Sequence, residues 1–249
     1  MLFRSNFSAN DKVFFRYATN IPEWFSVTNN PNFSYLVAGR NHNYATQWLH
    51  VFTPRMINEF RFGYTQSRSD SFNPRANTDF TLPSIGINGF NVLTDGNRAL
   101  TQREVGIPSM NVTGFTGLAE RDGGNGFDDN KLYQINDNVS YTTGAHTFKA
   151  GFDIRRVTLF RGAANVPRGS FNFNGNLANN AFAAFLLGAP TSTDSPEGLP
   201  LTDVKQWRTG FYFQDDWKAT RKLTLNLGLR WEYNTAATDV RGLWRSFEW

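Results

Sequence analysis

The adjacent carboxylates Asp215 and Asp216 are the nearest thing in this 249-residue sequence to an acid–base pair. Glycoside hydrolysis needs two carboxyl groups facing one bond, roughly 5 to 9.5 Å apart. These two lie in WRTGFYFQDDWK, where apolar and polar residues alternate as in a strand. Neighbours on a strand point to opposite faces, so the two cannot act together. The run DGGNGFDDN offers Asp122, Asp128 and Asp129 as oxygen ligands, and the chemistry would be calcium binding. It lacks the D-x-[DN]-x-[DN]-G spacing and a distal glutamate, and reads as a solvated polar loop. His42, His50 and His146 stand apart from one another and from any H-E-x-x-H pattern, as surface or interface histidines do. No G-x-S-x-G, P-loop or complete G-x-G-x-x-G run is present, and there is no cysteine. The expectation is a protein that is not an enzyme, with no cofactor and no metal.

The composition points elsewhere. Aromatic residues make up 16% of the chain, with 24 Phe, 8 Tyr and 7 Trp, while only 18% is charged. So much Phe and Trp beside abundant Asn, Gly, Ser and Thr is unusual for a soluble core and suggests strands facing something apolar. No window of 18 apolar residues exists and mean hydropathy is −0.46, which excludes a helical membrane span but not a barrel, whose strands dilute their own hydropathy. The net charge of +4 and pI near 9.4 come from scattered Lys and Arg, so no nucleic-acid partner is expected. The opening MLFRSNFSANDKVFF has no apolar stretch of signal-peptide type. On this reading the chain either stays in the cytoplasm or is a piece of something longer, exported by a signal elsewhere.

The clearest element is LTLNLGLRWEY, in which Leu223, Leu225, Leu227, Leu229, Trp231 and Tyr233 alternate with Thr224, Asn226, Gly228, Arg230 and Glu232. Eleven residues of strict alternation make a strand with one apolar and one wet face, long enough to cross a bilayer at a tilt. Trp207 to Lys218 precedes it across a short polar connector, so the two read as an antiparallel hairpin. Three further hairpins are predicted: Leu2–Phe7 with Lys12–Ala18, Tyr44–Phe52 with Ile57–Ser67, and Leu132–Tyr141 with Thr147–Phe160. The hairpins are joined by long connections, about 19–43, 70–130 and 161–206, where Gly, Pro and Asn concentrate. Short turns on one side and long loops on the other are the asymmetry of an outer-membrane barrel. The stretch from Asn179 to Leu187 suits a short helix ending at Gly188, with Phe182, Phe185 and Leu186 on one face packing on the barrel.

The hairpin FYFQDDWKATRKLTLNLGLRWEY, the preceding FAAFLLGAPTS, and the segments SYTTGAHTFKAGFDIRR and TPRMINEFRFGYTQSRS resemble the barrel of the Oar-like TonB-dependent outer-membrane receptors of Acidobacteria. The resemblance runs from about Asn6 to Tyr233. It implies a large barrel in the Gram-negative outer membrane that passes an unidentified substrate inward, with energy relayed by the TonB system through a plug. The sequence departs from the family in lacking the N-terminal regulatory-like domain, the plug and the TonB box, and in having too few strands to close so wide a barrel. The expectation is therefore an all-β, antiparallel transmembrane barrel fragment of about eight strands in four hairpins, with residues 1–249 a partial barrel domain.

On this reading Phe60, Phe62, Tyr64, Phe148, Phe152, Phe211, Phe213, Leu223, Leu225, Leu227, Leu229 and Trp231 face outer-membrane lipid. Arg61, Lys149, Asp153, Arg155, Arg208, Asp216, Arg230 and Glu232 face the lumen, as cross-strand pairs and plug contacts more than as a substrate site. Phe52, Tyr141, Phe148 and Trp217 at the turn ends, with Trp231 and Tyr233 toward the loops, suit interfacial girdles. Asp215, on the apolar side, is expected near the turn end, where a charge costs less than at the midplane. Two other readings stay open: a self-contained eight-stranded barrel with a structural or adhesive role, and a secreted β-rich carbohydrate-binding or hydrolytic domain.

Overall fold

The computed structural model describes residues 1–27, 34–73, 86, 107–118, 126–163, 168–176, 178–194 and 201–242. Among them one antiparallel sheet dominates. In chain order the elements are β1 (Leu2–Asn6), β2 (Asp11–Asn20), β3 (Glu23–Ser26), β4 (Tyr35–Thr53), β5 (Met56–Phe72), β6 (Ser109–Val112), β7 (Gly126–Thr143), β8 (His146–Ala163), β9 (Ser170–Phe173), α1 (Ala181–Leu186), β10 (Ser192–Asp194), β11 (Leu201–Thr220), β12 (Leu223–Asn234) and β13 (Thr238–Asp239). The large sheet runs β1-β2-β4-β5-β7-β8-β11-β12, with β3 added beside β4 and β13 beside β11. The eight strands and four hairpins expected from alternation are all present. The sheet is open among the described residues: β1 and β12 do not pair.

The turns at one end are minimal. Two residues each separate β4 from β5, β7 from β8 and β11 from β12. Gly144 at φ +56° supplies the left-handed backbone that the β7–β8 turn requires. The Thr220 hydroxyl accepts from the Lys222 N–H at 3.2 Å in the β11–β12 turn.

The register carries a regular stagger. One row of directly opposed residues runs Asp11, His50, Asn58, Val139, Ala150, Phe213, Leu229 across the sheet. Asp11 is the first residue of β2, Asn58 the third of β5, Ala150 the fifth of β8 and Leu229 the seventh of β12. Each hairpin thus steps two residues down the row, or one per strand. With a rise of roughly 3.4 Å per residue and a strand spacing of roughly 4.8 Å, strands whose turns lie on one rim tilt by roughly 35°. That is the geometry of a barrel wall.

Two expectations need correction. The connections are shorter than predicted, because β4 begins at Tyr35, β5 extends to Phe72, β7 begins at Gly126, β8 extends to Ala163 and β11 begins at Leu201. Past the row that joins Tyr17, Tyr44, Tyr64, Tyr133, Arg156 and Trp207, polar and apolar residues mix on both faces of these strands, so the apolar-polar period that betrays a strand fades while the ladder continues. The helix also does not pack on the barrel. Parts of the β5–β7 and β8–β11 connections form their own three-stranded sheet, β10-β9-β6, and α1 lies on it. Val112, Phe173 and Ala184 are its buried core, with Phe185 edge-on to Phe173 at 5.3 Å. Of the three helix residues predicted to share a packing face, Phe185 packs here and Phe182 stacks on Phe115 at 5.1 Å, but Leu186 is exposed. The ends of α1 follow the sequence. The Asn180 side chain accepts from the Phe182 and Ala183 N–H groups. Gly188 at φ +62° closes a Schellman motif, donating to Phe185 while Ala189 donates to Ala184. Arg168, leading into β9, is almost fully buried, which pushes its guanidinium down to about 10 and leaves it protonated at neutral pH.

One close approach inside the large sheet is specific to glycine. Tyr212 lies opposite Gly151, its ring over the bare Cα and its hydroxyl donating to Asn138 Oδ1 at 2.8 Å. A Cβ at Gly151 would meet the Asp137 carbonyl at 2.5 Å and Tyr212 Cε1 at 2.7 Å. Gly151→Ala should therefore destabilise the sheet by about 1–3 kcal/mol, as overpacking does. Gly63→Ala, whose Cβ would meet nothing closer than 3.9 Å, should be near neutral. Urea unfolding of detergent-folded protein, followed by tryptophan fluorescence, reads the difference; equal midpoints would remove the steric argument.

Candidate functional site

Directly paired residues share a face, so the ladder sorts every side chain of the large sheet. The eight predicted lumen residues fall on one face: Arg61, Lys149, Asp153, Arg155, Arg208, Asp216, Arg230 and Glu232. They form short polar chains across the strands. Lys149 Nζ donates to Asp216 at 2.7 Å, and Gln214 donates to the other Asp216 oxygen at 2.7 Å. Asp153 accepts from Gln134 at 2.8 Å and from Asn136, and lies 2.7 Å from Arg155 Nε in an ion pair that lacks hydrogen-bond alignment. Arg61 pairs with Glu59, to which Gln47 also donates. Arg16 reaches Asn43 at 2.9 Å, and Asn43 reaches Thr65 at 2.8 Å. Arg230 pairs with Glu232, and Arg208 donates to Gln206 at 2.9 Å. Most of these charges are met by a neighbouring charge or amide on the same face, and among the described residues no two acids on it are aimed at one point.

The twelve residues predicted to face lipid fall together on the opposite face: Phe60, Phe62, Tyr64, Phe148, Phe152, Phe211, Phe213, Leu223, Leu225, Leu227, Leu229 and Trp231. Nothing among the described residues covers them. Leu229 is 77% exposed, Leu227 56% and Phe213 53%. Among the described residues the buried apolar side chains are few, and three of them, Val112, Phe173 and Ala184, form the core between the small sheet and α1. A soluble domain would place a second layer over such a face.

The apolar face has ordered edges. Toward the turns stand Phe52, Tyr141, Phe148 and Trp217, each within three residues of a turn-end pair. Asp215 lies among them as expected from sequence. His146 Nδ1 meets it at 2.7 Å while stacking between Phe148 and Trp217. A matching cluster sits where the β2–β4 pair meets the turn rim: Asp11 is 2.6 Å from His50 Nδ1 and accepts from Trp48 Nε1 at 3.0 Å. Toward the loops a single register row joins Tyr17, Tyr44, Tyr64, Tyr133, Arg156 and Trp207. The tyrosine rings follow one another at 4.6, 5.8 and 4.9 Å, and the Arg156 guanidinium lies 5.4 Å from the Trp207 ring centre.

Sequence reading missed this row, because its four tyrosines stand on four different strands and become neighbours only once the register is known. It also missed Asp137, which stands on the apolar face and accepts from Asn58 at 2.5 Å. Parity gave the signal: Tyr133, Ile135, Asp137, Val139 and Tyr141 are alternate residues of β7. Of the three histidines, His50 and His146 hold carboxylates, and His42 Nδ1 is 3.0 Å from the Tyr17 hydroxyl. Of the three acids weighed as calcium ligands, Asp122 lies outside the described residues. Asp128 and Asp129 belong to β7 and not to a loop; Asp129 is 3.0 Å from Lys131, and Asp128 is 3.5 Å from Arg161.

The crystal structure of the outer membrane transporter YddB from Escherichia coli is similar in fold, with a TM-score of 0.52 at 11% identity. The match covers 94% of this chain and 26% of that one, so the chain spans about a quarter of that transporter's length. No curated protein matches the sequence. The profile described as outer membrane beta barrel domain matches residues 4–248. With a staggered antiparallel sheet, one uncovered apolar face and one polar face, the chain belongs to the outer membrane beta-barrel domain family and is a protein of the outer membrane.

Proposed function

We propose that the chain is part of the wall of a TonB-dependent receptor of the Oar-like type, a transporter that binds a scarce substrate and passes it inward without chemistry on it. The apolar face meets lipid and the polar face lines the lumen. The observation that carries this reading is the segregation of twelve apolar and eight charged residues to opposite faces of a sheet staggered like a barrel wall. The resemblance of the QDDWK and LTLNLGLRWE strands to Oar-like receptors supports the TonB-dependent class. Self-satisfied ion pairs on the lumen face suit a lining that contacts a plug and leaves recognition to the loops.

The test is genetic. Deleting the gene should abolish energised uptake of one nutrient from a panel of scarce carbon sources and metal chelates, and collapsing the proton gradient in the parent strain should reproduce the loss. Uptake unchanged by the deletion, or indifferent to the gradient, would sink the transporter reading and favour a structural barrel.

A further inference from the structure

A groove of about 600 Å³ lies on the apolar face of the wall, away from the lumen side. Its floor toward the turns includes Ile135 and Ile154, which oppose each other across β7 and β8. Tyr133, Arg156 and Trp207 form the next row, and Lys131 and Lys205 stand two residues further toward the loops. The lysines are already answered: Lys131 is 3.0 Å from Asp129 and Lys205 is 3.5 Å from Asp203. Arg156 is not. Among the described residues no carboxylate lies within ion-pair range of it, and its guanidinium is held over the Trp207 ring. A guanidinium over an indole face gains cation–π attraction there and still has N–H groups with which to grip an anion bidentately.

The groove's position says what would use that fork. Arg156 is ten residues beyond the turn end of β8, and Tyr133 ten residues before that of β7. At roughly 3.4 Å per residue and roughly 35° of tilt, both stand roughly 28 Å above the turn rim, about the height of an outer-membrane apolar band. Below the Arg156 row the floor is apolar, and at and beyond that row the lining is mostly charged, Phe160 excepted, which is the order, seen from the midplane outward, of acyl chain and then phosphate in the outer leaflet. We propose that this groove binds a phosphorylated, multiply acylated lipid of the outer leaflet, its phosphate on Arg156 and an acyl chain laid over Ile135 and Ile154. The inference rests on the lipid-facing reading of the apolar face.

The full chain is folded into phosphatidylcholine vesicles, insertion is scored by flotation, and low mole fractions of lipid A or its dephosphorylated form are titrated in, with bound lipid read by native mass spectrometry. The phosphorylated form should bind at least about tenfold more tightly, as expected for a charge-assisted pair. Arg156→Gln should erase that preference and leave flotation unchanged, and millimolar inorganic phosphate should not displace the lipid. Equal binding of the two forms, a preference that survives Arg156→Gln, displacement by inorganic phosphate, or a lipid-free dimer closed over the groove would each overturn the proposal. If Arg156→Gln inserts poorly, the ratio for the unaltered chain decides. Failure of the unaltered chain to float would instead refute the lipid-facing reading, and this site with it.

Discussion

Leu229→Arg should cost the membrane-folded chain about 2–4 kcal/mol, the penalty of an arginine on the lipid face near the midplane. Leu229 is the seventh residue of β12, opposite Phe213, and 77% exposed on the apolar face. Its neighbour Arg230 already carries the same charge on the other face, paired with Glu232. That adjacency supplies an internal control: exchanging the two residues, Leu229→Arg with Arg230→Leu, leaves composition, net charge and overall hydropathy unchanged. The exchange should be at least as damaging as the single change, because it also strips Glu232 of its partner. The penalty should fall to about 0–1 kcal/mol at Leu225, near the turn rim and the interface. Asn226→Arg, on the polar face opposite Asp216, should be close to neutral. Urea titration in vesicles reads all four. Equal costs at Leu225 and Leu229 would contradict the depth ordering, and a harmless Leu229→Arg would contradict the face assignment altogether.

The faces were readable in sequence because bilayer and lumen impose a period of two. Phe148, Ala150, Phe152 and Ile154 against Lys149, Gly151, Asp153 and Arg155 sort themselves without reference to any partner strand. Strand length was not readable beyond the aromatic row. Gln66, Arg68, Lys131 and Asp129 are apolar-face residues by parity, yet they are polar, so the period of two is lost there although the ladder goes on. The row Tyr17, Tyr44, Tyr64, Tyr133 required the register, which short turns restrict but only pairing sets. The groove at Arg156 required both register and neighbours: an arginine on the apolar side of a strand looks like an error in alternation until Trp207 is beside it. The small sheet was invisible for a different reason. Its strands are three or four residues long, are drawn from two different connections, and show no period at that length.

Phe173→Ala should unfold that small sheet and leave the large one standing. Phe173 is buried between Val112 and Ala184, with Phe185 edge-on at 5.3 Å, so its loss removes the centre of the cluster. A buried phenylalanine cut to alanine typically costs about 3–5 kcal/mol. A unit built from so few residues has little more stability than that to lose. The parallel β6–β9 ladder, where Phe173 opposes Val112, joins the connection after β5 to the one after β8, and loop closure makes such long-range pairing dependent on its side chains. Chymotrypsin should therefore cut near Phe171, Phe182 and Phe185 several-fold faster in the variant, while far-ultraviolet circular dichroism and the urea midpoint of the large sheet stay put. Phe182→Ala, which removes only a half-exposed ring stacked on Phe115, should raise the cleavage rate far less. A variant that loses both sheets at one midpoint would mean that the small sheet is part of the wall's own folding unit. If they separate, the two connections form an independent platform, and changes to its surface can alter what the loops recognise without disturbing the strands that cross the membrane.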